Sequence, residues 1–191
     1  NSFTITGRVE GAGKGEYLLL REVKPGVLEP VDSVIPQQNG RFAFRAVTET
    51  PSFFVLSMAH DDFLTLLAAP GEKIRVTASR HSLASPSEVS GSEGTQIMVD
   101  FRNQQQQVVS ELGKLTEIYN DSILSLRLPL IMDSLDRKAA GIVADFRGKA
   151  VALLEANSTS MVSVYLLNQQ VVPGLQLFDP ARDQQLYYRV D

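Results

Sequence analysis

Apolar and polar residues alternate with period two through roughly the first half of the chain, then recur at intervals of three and four through the second. In residues 3–9 the alternation puts Phe3, Ile5 and Val9 on one face and Thr4, Thr6 and Arg8 on the other, the pattern of a half-buried strand. The same pattern returns in residues 16–22 and 30–35, in 41–45 with Phe42 and Phe44 inward, and in 73–78 with Ile74 and Val76 inward. Two denser apolar runs, 52–59 and 62–69, have strand length and are separated by His60 and Asp61, where a hairpin should turn. The breaks carry turn chemistry: Gly11 to Gly15, Pro25-Gly26, Asn39-Gly40 and Pro70-Gly71. Seven short strands with no helical pattern between them predict an antiparallel β-sandwich or barrel over residues 1–90.

After Val89-Ser90-Gly91-Ser92 the period changes. Ile97, Phe101, Val108, Leu112, Leu115 and Tyr119 recur at helical spacing, with Ser92 as N-cap ahead of Glu93. Pro129 interrupts this segment, and a second amphipathic pattern runs through Ile142, Phe146, Ala150, Leu153 and Leu154. Residues 158–172 and 180–190 read as two further helices, the latter with Asp179 as N-cap and Pro180 in its first position. The expectation is an α+β chain: a β module over 1–90, then a helical module over 91–191 that packs against it or leads to a downstream domain. Each helical pattern has one apolar stripe, which needs a surface to cover it.

Composition narrows the chemistry. The chain of 191 residues has no cysteine, so it offers no thiol nucleophile, thiolate zinc site or disulfide. Its net charge of −4, from 18 basic and 22 acidic residues, argues against nucleic acid as a partner. The longest apolar stretches, 53–58 and 63–69, are too short to span a bilayer. The opening at Asn1 rather than methionine leads us to expect a preceding segment such as a signal peptide.

No catalytic, cofactor-binding or metal-binding residue is assigned. Gly11-Ala12-Gly13-Lys14-Gly15 superficially suggests a phosphate loop, but Glu16 stands where the hydroxyl residue should be and strands flank both sides, so a hairpin loop is expected. His60 and His81 are the only histidines. His60 with Asp61 and Asp62 has the makings of a cation or proton-transfer site, yet a solvated turn is the simpler reading. No Gly-x-Ser-x-Gly elbow supports a hydrolase triad. Gln104 to Gln107 read as helix surface, and Val164, Leu167 and Val171 with Leu175, Leu177 and Phe178 as a core face rather than a docking face.

The ordered set Phe3-Thr4-Ile5-Thr6-Gly7-Arg8-Val9, Asp32-Ser33, Asn39-Gly40-Arg41-Phe42, Pro70-Gly71-Glu72-Lys73-Ile74 and Val89-Ser90-Gly91-Ser92 resembles an N-terminal domain of unknown function, DUF4369. That domain is widespread in Bacteroidetes, usually ahead of a thioredoxin-like domain of the TlpA/ResA or AhpC/TSA type. Residues 158–167 look like the family's serine-rich helix shortly before the thioredoxin domain. The resemblance implies a non-catalytic accessory domain of a cell-envelope thiol-disulfide oxidoreductase-like protein, whose redox chemistry sits in a downstream Cys-x-x-Cys and whose membrane attachment is a lipid anchor upstream of Asn1. It implies no cofactor for this chain. The expected partner is the downstream thioredoxin-like domain, with self-association a further possibility because the helical half carries unmatched apolar stripes. Three Asp-Ser-apolar tripeptides, at Ser33, Ser122 and Ser134, resemble O-glycosylation sites of exported Bacteroidetes proteins. The rival reading is a free-standing envelope binding module for a peptide, glycan or lipid; with 7% aromatic residues and no tryptophan, a sugar-stacking platform is disfavoured.

Overall fold

The alternating segments become eight strands in two four-stranded sheets. In the computed structural model, which describes residues 1–58 and 62–190, these strands are β1 (Ser2–Glu10), β2 (Leu18–Lys24), β3 (Val27–Val34), β4 (Arg41–Val47), β5 (Ser52–Ser57), β6 (Phe63–Ala68), β7 (Lys73–Ser79) and β8 (Glu88–Ser90). Sheet 1 has the order β4-β1-β7-β8 and sheet 2 the order β3-β2-β5-β6. The eighth strand lies in the Val89-Ser90 segment, too short to announce itself by alternation. The arrangement is a sandwich and not wholly antiparallel, because β1 pairs with β7 in parallel from Thr4–Lys73 to Glu10–Ser79. Parallel pairing between strands so far apart in sequence leaves no mark on either strand's local pattern.

The inward residues of both sheets form one core that includes Phe3, Ile5, Phe44, Phe54, Leu56, Leu66, Ile74 and Val76. Phe3 of sheet 1 and Phe54 of sheet 2 meet across it with ring centroids 4.7 Å apart. Gly7 lets β1 sit this tightly. A Cβ there would lie 1.8 Å from the Val76 carbonyl oxygen and 3.1 Å from the Phe42 ring, so only glycine fits.

The Gly11–Gly15 segment joins β1 to β2, which belong to different sheets, so it is a crossover between layers and not the expected hairpin. The β2–β3 hairpin does turn at Pro25-Gly26, with Gly26 at φ 76°. The edge strand β3 is exposed along nearly its whole length, and it is guarded by Pro30 and a bulge opposite Leu20 and Arg21. The other edge of sheet 2, β6, is covered from the following helix. Thr95 Oγ1 accepts from the Leu67 N–H (2.9 Å) and donates to the Leu67 carbonyl (2.9 Å), while Ser92 Oγ donates to that same carbonyl (2.8 Å).

Helix α1 (Glu93–Ser122) begins with Ser92, whose hydroxyl accepts from the Thr95 N–H, as the N-cap reading expects. The chain divides into two compact units, Asn1–Asp100 and Phe101–Asp191, and the first two turns of α1 belong to the first, with Val99 in the sandwich core. Helix α2 (Leu128–Ala156) starts with Pro129 in its first turn, where the ring's fixed φ suits a helix and the missing N–H costs nothing.

The core of the second unit includes Phe101, Phe146, Ala150, Leu154, Val162, Leu166, Leu177 and Phe178, all buried; Phe101 stacks on Phe146 at 5.2 Å. Of the helix expected over 158–172, only α3 (Met161–Leu167) forms, capped by Ser160, whose hydroxyl accepts from the Val162 N–H. Asn168 and Gln169 donate their side-chain amides to the Val164 and Tyr165 carbonyls and end it. The β-branched pair Val171-Val172 then enters β9 (Gln170–Val172), which turns through Pro173-Gly174 to β10 (Leu175–Gln176). Of the helix expected over 180–190, only α4 (Gln184–Tyr187) is helical. Asp179 does cap the turn ahead of it, accepting from the N–H groups of Ala181 (2.7 Å) and Arg182 (3.3 Å).

Candidate functional site

Three places concentrate polar chemistry, and two of them are closed. In the glycine-rich crossover, the Gly13 N–H donates to Glu16 Oε2 at 2.6 Å, and Glu16 also pairs with Arg80. The loop's backbone donor is thus turned onto the chain's own carboxylate. Glu16, which excludes a P-loop by sequence, fills the anion position by structure.

In the helical unit, Arg147 makes a bidentate pair with Asp183 (2.7 and 3.0 Å) and donates to the Leu177 carbonyl (2.7 Å), with its guanidinium 5.4 Å from the Phe178 ring centroid. The Asp179 N–H and Arg182 complete the shell around Asp183. Burial alone would push the Asp183 carboxyl up, but the hydrogen bonds from Arg147, the Asp179 N–H and Arg182 outweigh it and bring it down to about 2. This carboxylate clasps α2 to the C-terminal segment.

The third place is open. On the outer face of sheet 1 the strand registers set side chains in rows: Arg41, Arg8, Thr77 and Glu88; Ala43, Thr6, Arg75 and Ser90; Arg45, Thr4 and Lys73. Arg8, Arg41, Arg45, Lys73 and Arg75 are all exposed. Among the described residues none of the five side chains makes an ion pair or a hydrogen bond. Residues 1–100 hold nine lysines and arginines against twelve acidic residues, so most of this unit's cations stand on one face of an acidic unit. Strand spacing near 4.8 Å and a two-residue repeat near 6.7 Å put Arg41, Arg8, Arg75 and Lys73 each within about 5–8 Å of the next, with Arg45 about 10 Å from Lys73 across Thr4. Four of the five are arginines, whose forked donors match carboxylates and other oxyanions in bidentate geometry. A shallow groove of about 600 Å³ runs over the upper rows, bordered by Arg8, Arg41, Arg75 and Glu88.

The net charge points away from this face because it is a sum, and the sum conceals how charge is sorted between surfaces. The signal that could have found it is the polar half of the alternation: Arg8 on one strand, Arg41 and Arg45 on another, Lys73 and Arg75 on a third.

The other sequence candidates stay apart. His60 and Asp61 lie outside the described residues. Asp62 accepts from the Leu83 (2.8 Å) and Ala84 (2.9 Å) N–H groups, and His81 is exposed in the following turn. Among the described residues no three His, Asp or Glu side chains come together in a way that would hold a metal. Among the described residues no helix is long and apolar enough to cross a membrane. Ser33, Ser122 and Ser134 fall on β3, α1 and α2; Ser33 is exposed and the other two are half-buried. Gln104, Gln106 and Gln107 are exposed, whereas Gln105 donates to the Gln170 carbonyl. Val171, Leu177 and Phe178 are buried, as a core face requires, while Val164 and Leu175 are exposed.

No curated protein matches this chain. A family model for a domain of unknown function, DUF4369, matches residues 3–98, a span that ends within two residues of the first compact unit. With half of its length and the whole sandwich matched, the chain belongs to the DUF4369 family.

Proposed function

We propose that this chain is a non-catalytic accessory domain of a cell-envelope thioredoxin-family protein, periplasmic or held at the outer membrane by an upstream lipid anchor. Its sandwich docks an acidic protein surface, that of a downstream thioredoxin-like domain, through the outer face of sheet 1. The observation that carries the docking surface is the grid of five cations, without an ion pair among the described residues, on an otherwise acidic unit. A compact acidic patch suits it better than a long polyanion, which would run off the grid onto a surface that repels it. The polar chemistry elsewhere is engaged internally, at Glu16 and at Asp183, which supports a binding role over a catalytic one. The chain has no cysteine, so thiol chemistry in such a protein belongs to another segment.

Two measurements test this. Reading the gene on both sides should find a lipobox cysteine upstream and a Cys-x-x-Cys within a thioredoxin-like pattern downstream; a gene with neither removes the accessory reading and leaves a free-standing binding module. The downstream domain, expressed separately, should bind this chain at low ionic strength. Raising salt from about 50 to 300 mM should cost tenfold or more in affinity, and so should the Arg8→Glu, Arg75→Glu pair. Binding indifferent to salt and to both substitutions would mean that another surface docks.

A further inference from the structure

Between Arg102 and Asp145 not one residue is buried, although this stretch holds most of two long helices. Helix α2 returns alongside α1, and Leu112, Leu115 and Tyr119 of one line a groove of about 220 Å³ with Met132, Leu135 and Ala139 of the other. The seam between the helices therefore exists but is only half covered: Val108, Leu112, Leu115, Ile131, Leu135 and Ile142 all keep part of their surface in solvent. The exposure is greatest at the far end of the hairpin, where Leu124, Leu126 and Leu130 are 98%, 97% and 80% accessible. Two helices alone cannot enclose an apolar seam; bundles do so with three or four. An apolar surface this continuous marks an interface.

From these features we infer that the α1–α2 hairpin is a self-association surface, closed by the hairpin of a second copy of this chain into a four-helix arrangement. Three observations point to a second copy. The first is size: about twenty residues of each helix give a face near 30 Å by 20 Å, roughly 600 Å² per copy and 1,200 Å² in total, at the threshold of a stable specific interface. The second is charge. Residues 102–145 carry five basic and six acidic side chains, so two copies do not repel. The third is pairing: within this stretch only Asp145 makes an ion pair in the described residues, to Lys149, leaving charges of both signs available to a surface that meets itself. A two-fold axis requires one patch to be complementary to its own copy, and a mixed-charge border around an apolar seam meets that requirement.

Sedimentation of the full 191-residue chain from about 1 to 100 µM should show a monomer passing to a dimer, and the Leu112→Asp, Leu135→Asp pair should raise the dissociation constant tenfold or more. Should that variant fail to fold, amide exchange on the unaltered protein decides: exchange in residues 102–122 and 128–145 should slow as concentration rises, while exchange in the sandwich stays constant. A chain that sediments as a monomer throughout, with exchange in both helices independent of concentration, overturns the inference. So does a dimer that the paired substitution leaves intact.

Discussion

Arg8 of β1 and Arg41 of β4 are direct cross-strand partners on an exposed sheet face, two like charges set opposite each other, and among the described residues no acidic side chain pairs with either. Like charges opposite one another destabilise a sheet, and lysine or arginine pairs gain nothing there in the unbound protein. Arg41→Glu should therefore stabilise the free chain, by about 0.5 kcal/mol at low salt, with the gain fading as salt rises. Denaturant melts at two ionic strengths check this. A stabilised variant that has lost the partner shows a face kept for binding at some expense of stability.

Gly7→Ala should be among the most damaging single-methyl additions in the protein. The new Cβ would lie 1.8 Å from the Val76 carbonyl oxygen, a backbone atom that cannot step aside without breaking the β1–β7 pairing. A loss of about 3 kcal/mol or more is expected in the unfolding free energy. Gly113→Ala, on the exposed part of α1 with nothing within 4 Å, should instead stabilise by up to about 1 kcal/mol.

Thr95→Val keeps the shape of a fully buried side chain but removes the hydroxyl that serves both the N–H and the carbonyl of Leu67. Ser92 still donates to the carbonyl, so the Leu67 N–H is the group left without a partner. The cost should be about 1–3 kcal/mol in thermal or chemical unfolding. Amide exchange at Leu67 should rise more than at its β5 partner, Phe53.

The clasp at Asp183 predicts a pH dependence. Its carboxyl is lowered from 3.8 to about 2, so the stabilisation is fully present above the unfolded value and is lost as pH falls through about 4 to 2. The C-terminal segment from Leu177 onward should loosen in that window, seen as faster amide exchange or proteolysis. Asp183→Asn should loosen the same segment at neutral pH, by about 2–3 kcal/mol, because Arg147 loses its paired charge but stays partly solvated.

What the sequence makes legible follows from the range of each interaction. The faces of β1, β4 and β7 could be read from Phe3, Phe42, Phe44, Ile74 and Val76, since alternation is a local consequence of strand geometry. The start of α1 could be read from Ser92, because a cap acts within three residues. The two C-terminal segments are less helical than their apolar spacing predicts. The apolar spacing around Val164, Leu167 and Val171 suits a helix, yet the capping amides of Asn168 and Gln169 and the turn at Pro173-Gly174 send the chain into a short hairpin. Asp183 likewise has a distant partner, Arg147, thirty-six positions earlier, which no periodicity encodes.

The candidate site divides the same way. Each of Arg8, Arg41, Arg45, Lys73 and Arg75 is visibly on the polar side of its own strand, and the family pattern over the sandwich is carried by the order of strands and turns. The β-then-helical order, the inward faces and the turns at Pro25-Gly26 and Asn39-Gly40 follow from neighbours a few residues apart, and the lack of thiol chemistry from composition alone. Long-range pairing places β1 between β4 and β7, in parallel with the latter, and so gathers five cations onto one face. The same holds for the seam of α1 and α2, whose residues look like any core stripe until the fold leaves them uncovered. Pairing across long stretches of chain is chosen by the free energy of the whole packed unit, and only that choice brings separate polar faces together as one surface.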